Sequence, residues 1–249
     1  MSKSLLNKQP RYQYHCEIAG ENAFIIYFTL AASVNNEKKN ADIIRYVASI
    51  SHKVQLKLAN IVLNVIPAYH SLLIVFDTDK SSFNQCQSLV ENLMLNSNQQ
   101  LYSVNSLSTK TLTLPIYYDE SVGPDLARIA KHAKLTVAEV INLHQQGTYY
   151  VNAIGFAPGF AYLGEVNSKI AMPRLTSPRL SVPKGAVAIA EQQTAIYPAS
   201  SPGGWNIIGR CPLTLFDINK EQPMSFSLGD TVTFDSVDKN TFLSLGGEL

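Results

Sequence analysis

Hydrophobic and polar residues alternate along the first hundred residues in a pattern that predicts a small α+β domain. Runs with a period of two, rich in β-branched and aromatic residues, predict strands. These strands cover residues 12–18, 23–30, 60–66 and 71–76. Apolar residues at helical spacing predict helices over residues 41–58 and 82–95. Pro67 is expected to break the chain between the last two strands. The order ββαββα predicts a sheet covered by two helices.

The second half opens with a strand and two helices and then changes character. A strand is predicted over residues 111–118, and Pro124 begins a helix at the first helical position, where proline is tolerated. Thr136 and Glu139 form a capping box for a second helix, which we expect to end at Gly147 in the left-handed conformation. Short strands and tight turns then continue to the C-terminus, which predicts an all-β barrel or sandwich.

Glycine and proline are distributed unevenly, and this places a domain boundary. Of the 13 glycines, only Gly20 precedes position 123, whereas seven glycines and seven prolines fall between Gly155 and Pro212. Glycine permits positive φ and proline fixes φ, so both residues mark turns. We therefore expect a ββαββα domain over residues 1–105 and a β-rich domain, a barrel or a sandwich, over residues 106–249, with the boundary in the polar stretch 103–110.

Composition and charge exclude several function classes. The chain has 249 residues, with 20 Lys and Arg against 19 Asp and Glu, and a formal net charge of +1. A near-neutral chain has no long-range field that gathers nucleic acid or anionic membrane, so we expect neither as a partner. Three distant cysteines and five scattered histidines lack metal-ligand spacing, so no metal is expected. No signal peptide or membrane-spanning run is evident, which predicts a cytoplasmic protein.

The turns of residues 151–215 carry an excess of positive charge. Five cations and two anions give this segment a local charge of +3: Lys169, Arg174, Arg179, Lys184 and Arg210 against Glu165 and Glu191. Arginines on rigid turns can hold a carboxylate or phosphate, because guanidinium offers a fork of parallel donors. The alternative is that these are ordinary turns with solvated arginines.

Two further residues each allow two interpretations. His144 lies on the apolar face of its helix and is either a buried core histidine or an acid–base group at the edge of a site. Trp205 is the only tryptophan in the chain. It either joins Phe156, Phe160 and Tyr162 in an aromatic floor or fills the core. The chain contains no P-loop, G-x-G-x-x-G, H-E-x-x-H or G-x-S-x-G motif.

Six short runs in the second half resemble one known family. They read GFAPGFAYLG at 155–164, PRLTSPR at 173–179, VPKG at 182–185, QTAIYP at 193–198, SPGGW at 201–205 and IGRCP at 208–212. Their order and spacing resemble the family of the 5-oxoprolinase B subunit, also described as allophanate hydrolase subunit 1, which includes the kinase inhibitor KipI. The resemblance implies an α+β fold, with a small ββαββα domain followed by a cyclophilin-like β-barrel.

The sequence departs from that family at several positions. The family commonly has Gly-Ser-Val-Gly-Ile-Ala-Gly where this chain has Gly-Ala-Val-Ala-Ile-Ala-Glu at 185–191, and Gln-Thr-Gly-Ile where this chain has Gln-Thr-Ala-Ile at 193–196. Ala186 lacks a hydroxyl, and Ala188 and Ala195 add a Cβ. Glu191 adds a negative charge. These changes bear on the ligand more than on the fold.

The resemblance implies the function of a 5-oxoprolinase subunit. Such a subunit acts with subunits A and C to open 5-oxoproline to L-glutamate. The resemblance also implies that the reaction hydrolyses ATP, which is bound together with the partner subunits. The resemblance implies catalytic roles for His144, Arg174 and Arg179. It implies a substrate site formed by Phe156, Pro158, Gly159, Phe160, Tyr162, Gln193, Tyr197, Ser201, Gly203, Trp205 and Arg210. In this hypothesis the arginines neutralise an anionic substrate or nucleotide phosphate, and the aromatic residues form the walls.

Two alternatives remain open from the sequence. A KipI-like protein would inhibit a sensor histidine kinase by contact, with no chemistry of its own. A carboxyltransferase or allophanate hydrolase-type subunit would need a biotin carrier, and this chain has no biotin-acceptor motif.

Overall fold

The chain divides into two compact units, residues 1–108 and residues 109–249. The computed structural model describes residues 12–30, 39–100 and 109–249. The boundary expected between residues 105 and 106 lies outside the described residues. No helix among the described residues is long and apolar enough to cross a bilayer.

The N-terminal unit is an antiparallel sheet of four strands with two helices. Its elements follow the order ββαββα: β1 (Tyr12–Gly20), β2 (Ala23–Leu30), α1 (Lys39–Lys57), β3 (Val62–Ala68), β4 (Ser71–Phe76) and α2 (Phe83–Gln100). The strands pair in the order β1-β2-β4-β3. Alternation explains the sheet: Phe24, Ile26 and Phe28 are buried on one face of β2.

The expected break at Pro67 is wrong. Strand β3 continues through Pro67, which pairs with Leu72, and ends at Ala68. Proline removes one backbone donor but keeps its carbonyl, and Pro67 is the next-to-last residue of the strand. The ladder therefore continues to its natural end.

The C-terminal unit contains nine strands and three helices among its described residues. They are β5 (Thr111–Ile116), α3 (Leu126–Ala133), α4 (Val137–Gln145), β6 (Tyr149–Ile154), β7 (Ala161–Gly164), β8 (Arg179–Val182), β9 (Ala186–Ala190), β10 (Gln193–Ile196), β11 (Ser201–Gly203), β12 (Asn206–Arg210), β13 (Thr231–Ser236) and α5 (Lys239–Ser244). The prediction that the chain beyond residue 155 contains only strands and turns is wrong at its end, where helix α5 lies. The side chain of Asp238 caps α5 by accepting from the Thr241 N–H at 2.7 Å.

Seven of these strands form a closed barrel. They pair in the order β5-β13-β6-β7-β10-β9-β12. Tyr117, just after β5, and Arg210, at the end of β12, then exchange two backbone hydrogen bonds of 2.9 Å and join the two ends. Strands β8 and β11 pair separately as a two-stranded sheet. Closure leaves the barrel strands with two faces, an inner and an outer one.

The two faces of the barrel strands belong to two hydrophobic clusters. On β9, Val187 and Ile189 join the large cluster, together with Ile196 of β10 and Ile208 of β12. The intervening residues join a second, smaller cluster. Its members are Phe160, Val182, Ala186, Ala188, Ala195, Tyr197 and Ile207. This outer face, formed by β7, β10, β9 and β12, carries the candidate site.

The predicted capping box is present, but the predicted helix end is not. Thr136 and Glu139 satisfy each other's backbone N–H groups at the start of α4. Helix α4 ends at Gln145, and Gly147 does not adopt positive φ. A Cβ at Gly147 would instead collide with the ring of Tyr149. The left-handed cap belongs to α3, at Lys134 with φ of 56°.

Candidate functional site

A cleft of about 830 Å³ lies on the outer face of the barrel. Its lining residues come from separate turns and strands of the C-terminal unit: Phe156, Phe160, Tyr162, Pro173, Arg174, Leu175, Thr176, Pro178, Ala190, Glu191, Gln193, Tyr197, Pro202, Gly203, Gly204 and Trp205. Segments that are distant in the sequence thus meet at one surface.

Four of the six sequence runs, those at 155–164, 173–179, 193–198 and 201–205, supply all of the lining residues except Ala190 and Glu191. The run at 182–185 supplies Val182 to the cluster beneath the cleft, and the run at 208–212 lines no part of it. Alternation along the chain explains the division. Thr194 and Ile196 of β10 point away from the cleft, whereas Gln193 and, just beyond the strand, Tyr197 line it.

Phe160 is the centre of the aromatic wall. Its ring makes edge-to-face contacts with Phe156 at 5.2 Å, Tyr162 at 4.9 Å, Tyr197 at 5.3 Å and Trp205 at 5.8 Å between centroids. Phe160 is itself 2% exposed, so it supports the other four rings from below. The predicted aromatic floor and the predicted core filling are therefore both present, in one cluster.

Phe156 stands out within this wall. It is 65% exposed and adopts a φ of 73°, in the left-handed region that aromatic residues avoid. Pro158 and Gly159 belong to the same turn but do not line the cleft. Gly159 adopts a φ of 84°, and a Cβ there would collide with Phe216. Both residues shape the turn that presents Phe156.

Hydrogen bonds hold the segment that carries Arg174 on both sides of that residue. Met172 and Glu191 exchange backbone hydrogen bonds, with 2.7 Å from Glu191 N to Met172 O. The buried amide of Asn206 donates to the carbonyl of Pro173 at 3.0 Å. The Leu175 N–H donates to the carbonyl of Gly204 at 2.7 Å. Arg174 thus projects into the cleft from a backbone whose position is fixed.

The two phenols of the cleft are hydrogen-bond donors at neutral pH. Partial burial raises the pKa of Tyr162 above its usual value, and the positive charge of Arg174 offsets part of that rise. Burial likewise raises the pKa of Tyr197, and a hydrogen bond with the backbone of Trp205 offsets part of it. Both hydroxyls therefore keep their protons at pH 7.

Arg174 and Glu191 are the charged residues that line the cleft. Its formal charge is thus balanced, whereas the sequence suggested a cluster of cations. Lys184 donates to Thr214 at 3.1 Å, and Lys169 lies outside the lining. Arg210 donates its Nε–H to the carbonyl of Lys184 at 3.0 Å and does not line the cleft. Placement on a glycine-rich turn did not determine which way each cation points.

Arg179 is engaged by a buried carboxylate rather than by the cleft. Its guanidinium lies 2.9 Å from Oδ2 of Asp125 and also donates to the carbonyl of Trp205 at 3.4 Å. Asp125 is 5% exposed, and its carboxylate accepts from the Ile207 N–H at 2.7 Å. The pair therefore fixes the backbone on both sides of Asn206. This geometry gives Arg179 a positioning role at Trp205, in place of the catalytic role that the resemblance implied.

His144 is a fully buried structural residue and does not line the cleft. Its Nε2 lies 2.9 Å from Thr194 Oγ1, which donates to the carbonyl of Ala188 at 3.0 Å. Because that hydroxyl donates its proton to Ala188, Nε2 carries the imidazole proton and Nδ1 accepts from Tyr118 at 2.7 Å. Burial lowers the pKa of His144 to about 3. The neutral ring links three elements of the barrel core.

The remaining predicted site residues divide between lining and support. Gln193, Tyr197 and Gly203 line the cleft. Ser201 opens β11 without lining it. Sequence reasoning noted Glu191 as a departure that bears on the ligand, but not as a site residue. It did not select the lining residues Pro173, Leu175, Thr176, Pro178, Ala190, Pro202 and Gly204. Most of them adjoin selected residues within the same runs, which was the available signal. Among the described residues, no three His, Cys, Asp or Glu side chains form a candidate metal site.

We expect His144 to make the protein less stable in acid. The unfolded chain takes up a proton near pH 6.5, whereas the folded protein takes it up only near pH 3, so stability is full above pH 6.5 and falls as the pH decreases. This group contributes a slope of about 1.4 kcal/mol per pH unit. Urea unfolding between pH 4.5 and 7 should show that slope. His144→Gln should lose it and the exposed control His132→Gln should keep it, and an equal slope in both variants would contradict the assignment.

Two adjacent glycines of the cleft provide a matched pair. A Cβ at Gly203 would overlap the hydroxyl and ring of Tyr197, whereas a Cβ at Gly204 would lie 3.6 Å from the nearest atom, the carbonyl oxygen of Leu175. We expect Gly203→Ala to lower the free energy of unfolding by about 1–3 kcal/mol. Gly204→Ala should change it by less than about 0.5 kcal/mol. Equal effects in chemical denaturation would show that Tyr197 does not pack as described.

Two arginines lie next to Asp125, and a comparison of their variants distinguishes a positioning role from a surface ion pair. Arg179 is 28% exposed and contacts Trp205, whereas Arg128 is 40% exposed and lies 3.6 Å from the same carboxylate. We expect Arg179→Ala to lower the free energy of unfolding by about 2–3 kcal/mol, because it leaves the buried carboxylate with only the Ile207 N–H and the more distant Arg128 as partners. It should also shift the emission of Trp205. Arg128→Ala should cost less than about 1 kcal/mol and leave the emission unchanged.

Comparison with known proteins places these features in a family. Residues 14–226 match the carboxyltransferase domain, subdomain C and D. The 5-oxoprolinase B subunit of Bacillus subtilis (strain 168) is 33% identical over 240 residues, which are 92% of this chain and 95% of the relative. The 5-oxoprolinase B subunit of Escherichia coli O157:H7 is 41% identical over 126 residues, 51% of this chain and 58% of the relative.

A solved structure shares the fold. The crystal structure of TTHA0988 matches with a TM-score of 0.72 and 30% identity over 87% of this chain. The match covers 40% of that protein, so this chain spans less than half its length. Together with the match over nearly the full length of the Bacillus subtilis relative, this shows that the chain belongs to the family of the 5-oxoprolinase B subunit, built on carboxyltransferase subdomains C and D.

Proposed function

We propose that this chain is the substrate-binding subunit of an ATP-dependent 5-oxoprolinase, which opens 5-oxoproline to L-glutamate together with subunits A and C. The observation that carries the proposal is Arg174, held on a fixed backbone at an aromatic-walled cleft. The names of the relatives support membership of such an enzyme. The reaction and the partners are inferred from that membership and from the chemistry of the cleft.

The cleft offers what a small cyclic carboxylate requires. 5-Oxoproline is a flat five-membered lactam with one carboxylate, one carbonyl and one ring N–H. Arg174 provides parallel donors for the carboxylate. The phenols of Tyr162 and Tyr197 are protonated and can donate to the lactam oxygen. The rings of Phe156 and Trp205 cover the apolar edge of a ligand and exclude water from it.

The lactam must be activated before water can open it. Opening breaks the bond between the ring nitrogen and the carbonyl carbon, adds the oxygen of water to that carbon and leaves the nitrogen as the amine of glutamate. Amide resonance makes the carbonyl carbon a weak electrophile. Donors directed at the lactam oxygen stabilise the negative charge that develops there when water attacks. The residues of this chain would bind, orient and polarise the lactam.

The cleft does not fit the triphosphate of ATP. One arginine and one glutamate give it no net positive charge, and the sequence contains no P-loop. Three phosphates carry several negative charges and require several donors. We therefore assign the nucleotide to the partner subunits.

The test is glutamate release by the chain reconstituted with subunits A and C. Arg174→Ala should raise KM for 5-oxoproline by about 10- to 100-fold, because it removes a charge-assisted hydrogen bond to the carboxylate. Arg174→Lys should recover part of that loss, since lysine keeps the charge but not the fork of donors. Lys220→Ala removes an exposed cation outside the cleft and should leave KM unchanged. Unchanged kinetics in Arg174→Ala would refute the assigned substrate site.

A second candidate function is inhibition of a histidine kinase by contact. The ring of Phe156, 65% exposed in the aromatic wall of the cleft, favours it because aromatic residues are enriched at protein–protein contact surfaces. Capture of a purified sensor histidine kinase, with no glutamate release after reconstitution, would favour this function over the enzyme. Glutamate release without kinase binding would favour the oxoprolinase.

A further inference from the structure

Glu191 occupies a position that the fold alone does not explain. Ala190 pairs with Gln193, so β9 and β10 are joined by a two-residue turn of Glu191 and Gln192. Glu191 adopts a φ of 51° in this turn. Tight turns of this kind favour Gly, Asn or Asp at left-handed positions, because a longer side chain is strained there.

The side chain of Glu191 makes no compensating contact. It is exposed, and within the described part of the chain its carboxylate forms no hydrogen bond or salt bridge. Tyr69 provides the contrast, since it holds a φ of 49° at the same position of the β3–β4 turn. Tyr69 is half-buried and has an interaction with another residue. A strained residue without such interactions points to a role outside the fold.

Glu191 lines the same cleft as Arg174. The backbone hydrogen bonds between Glu191 and Met172 fix this arrangement, because Arg174 follows Met172 by two residues. Cation and anion therefore line one cleft without neutralising each other in a salt bridge among the described residues. A ligand with an anionic group and a hydrogen-bond donor would match both.

We propose that Glu191 determines ligand specificity by accepting a hydrogen bond from the ring N–H of the bound lactam. The inference rests on the proposed function, in which Arg174 binds the carboxylate of the same molecule. An ionised carboxylate only accepts hydrogen bonds. It favours a ring with an N–H group and disfavours a ring with a methylene at that position. After ring opening the same carboxylate faces the amine of the product.

The experiment compares two ligands that differ only at this group. 3-Oxocyclopentane-1-carboxylate keeps the ring, the carbonyl and the carboxylate of 5-oxoproline but has CH₂ in place of N–H. Both are titrated calorimetrically into the full chain assembled with its partner subunits. The unchanged protein should bind the lactam at least about tenfold more tightly, since a site built for a donor rejects an analogue that lacks it.

The variants then assign this preference to Glu191. Glu191→Ala, which removes both acceptor oxygens, should weaken lactam binding by about tenfold and change binding of the carbocycle by less than about twofold. Glu191→Gly should weaken lactam binding as much while leaving Tm unchanged or raised by about 2 °C, because glycine relieves the left-handed strain. Glu221→Ala, which removes an exposed carboxylate outside the cleft, is the matched control and should change neither affinity.

Three results would contradict the proposals or the arguments behind them. Equal weakening of both ligands in Glu191→Ala, or weakening of neither, overturns the specificity role and leaves the proposed function standing. A fall in Tm for Glu191→Gly overturns the argument from strain. If the unchanged protein binds neither ligand, and Arg174→Ala leaves turnover unaltered, the proposed function itself fails.

Discussion

Closure of the barrel between Tyr117 and Arg210 is the constraint on which the candidate site depends. The paired hydrogen bonds of 2.9 Å fix the end of β12 and, through β9 and β10, the sheet whose outer face carries the cleft. The two backbones that close the barrel approach each other so closely that position 209 requires glycine. A Cβ at Gly209 would lie 2.8 Å from the carbonyl oxygen of Tyr117. Arg210 contributes mainly through its backbone, which explains why a motif residue lies outside the lining.

The strands could be predicted from the sequence better than the orientations of the charged side chains. Strand β2 has the same bounds as predicted, because its alternation and its flanking turn agree. The run Ala186–Ala190 is buried on both faces, so its residues give no clue to which face lines the cleft. Arg179 has its partner Asp125 54 positions away, and no local pattern reveals such a pair. The aromatic and glycine runs were informative because they lie in consecutive turns on one surface.

Balanced charge gives the cleft a different selectivity from the cationic site that the sequence suggested. A cluster of arginines attracts any anion, including phosphate, through a field that salt screens. One arginine and one glutamate instead favour ligands by the placement of acceptor and donor groups. Asp125 contributes to this balance by engaging Arg179, so that Arg174 is the cation presented to the cleft. Specificity then depends on geometry more than on net charge.

Backbone strain is concentrated at this cleft in a way that links folding to binding. Among the described residues, four other than glycine have positive φ: Tyr69, Lys134, Phe156 and Glu191. Lys134 caps a helix, and Tyr69 is half-buried and has an interaction with another residue. Phe156 and Glu191 are exposed and line the cleft. Left-handed conformations cost residues other than glycine about 1–2 kcal/mol each. The ring of Phe156 packs on Phe160 and recovers part of this cost, whereas the carboxylate of Glu191 has no hydrogen bond or salt bridge among the described residues. In the proposed function both side chains contact the ligand, so their identities bear on binding rather than on the fold.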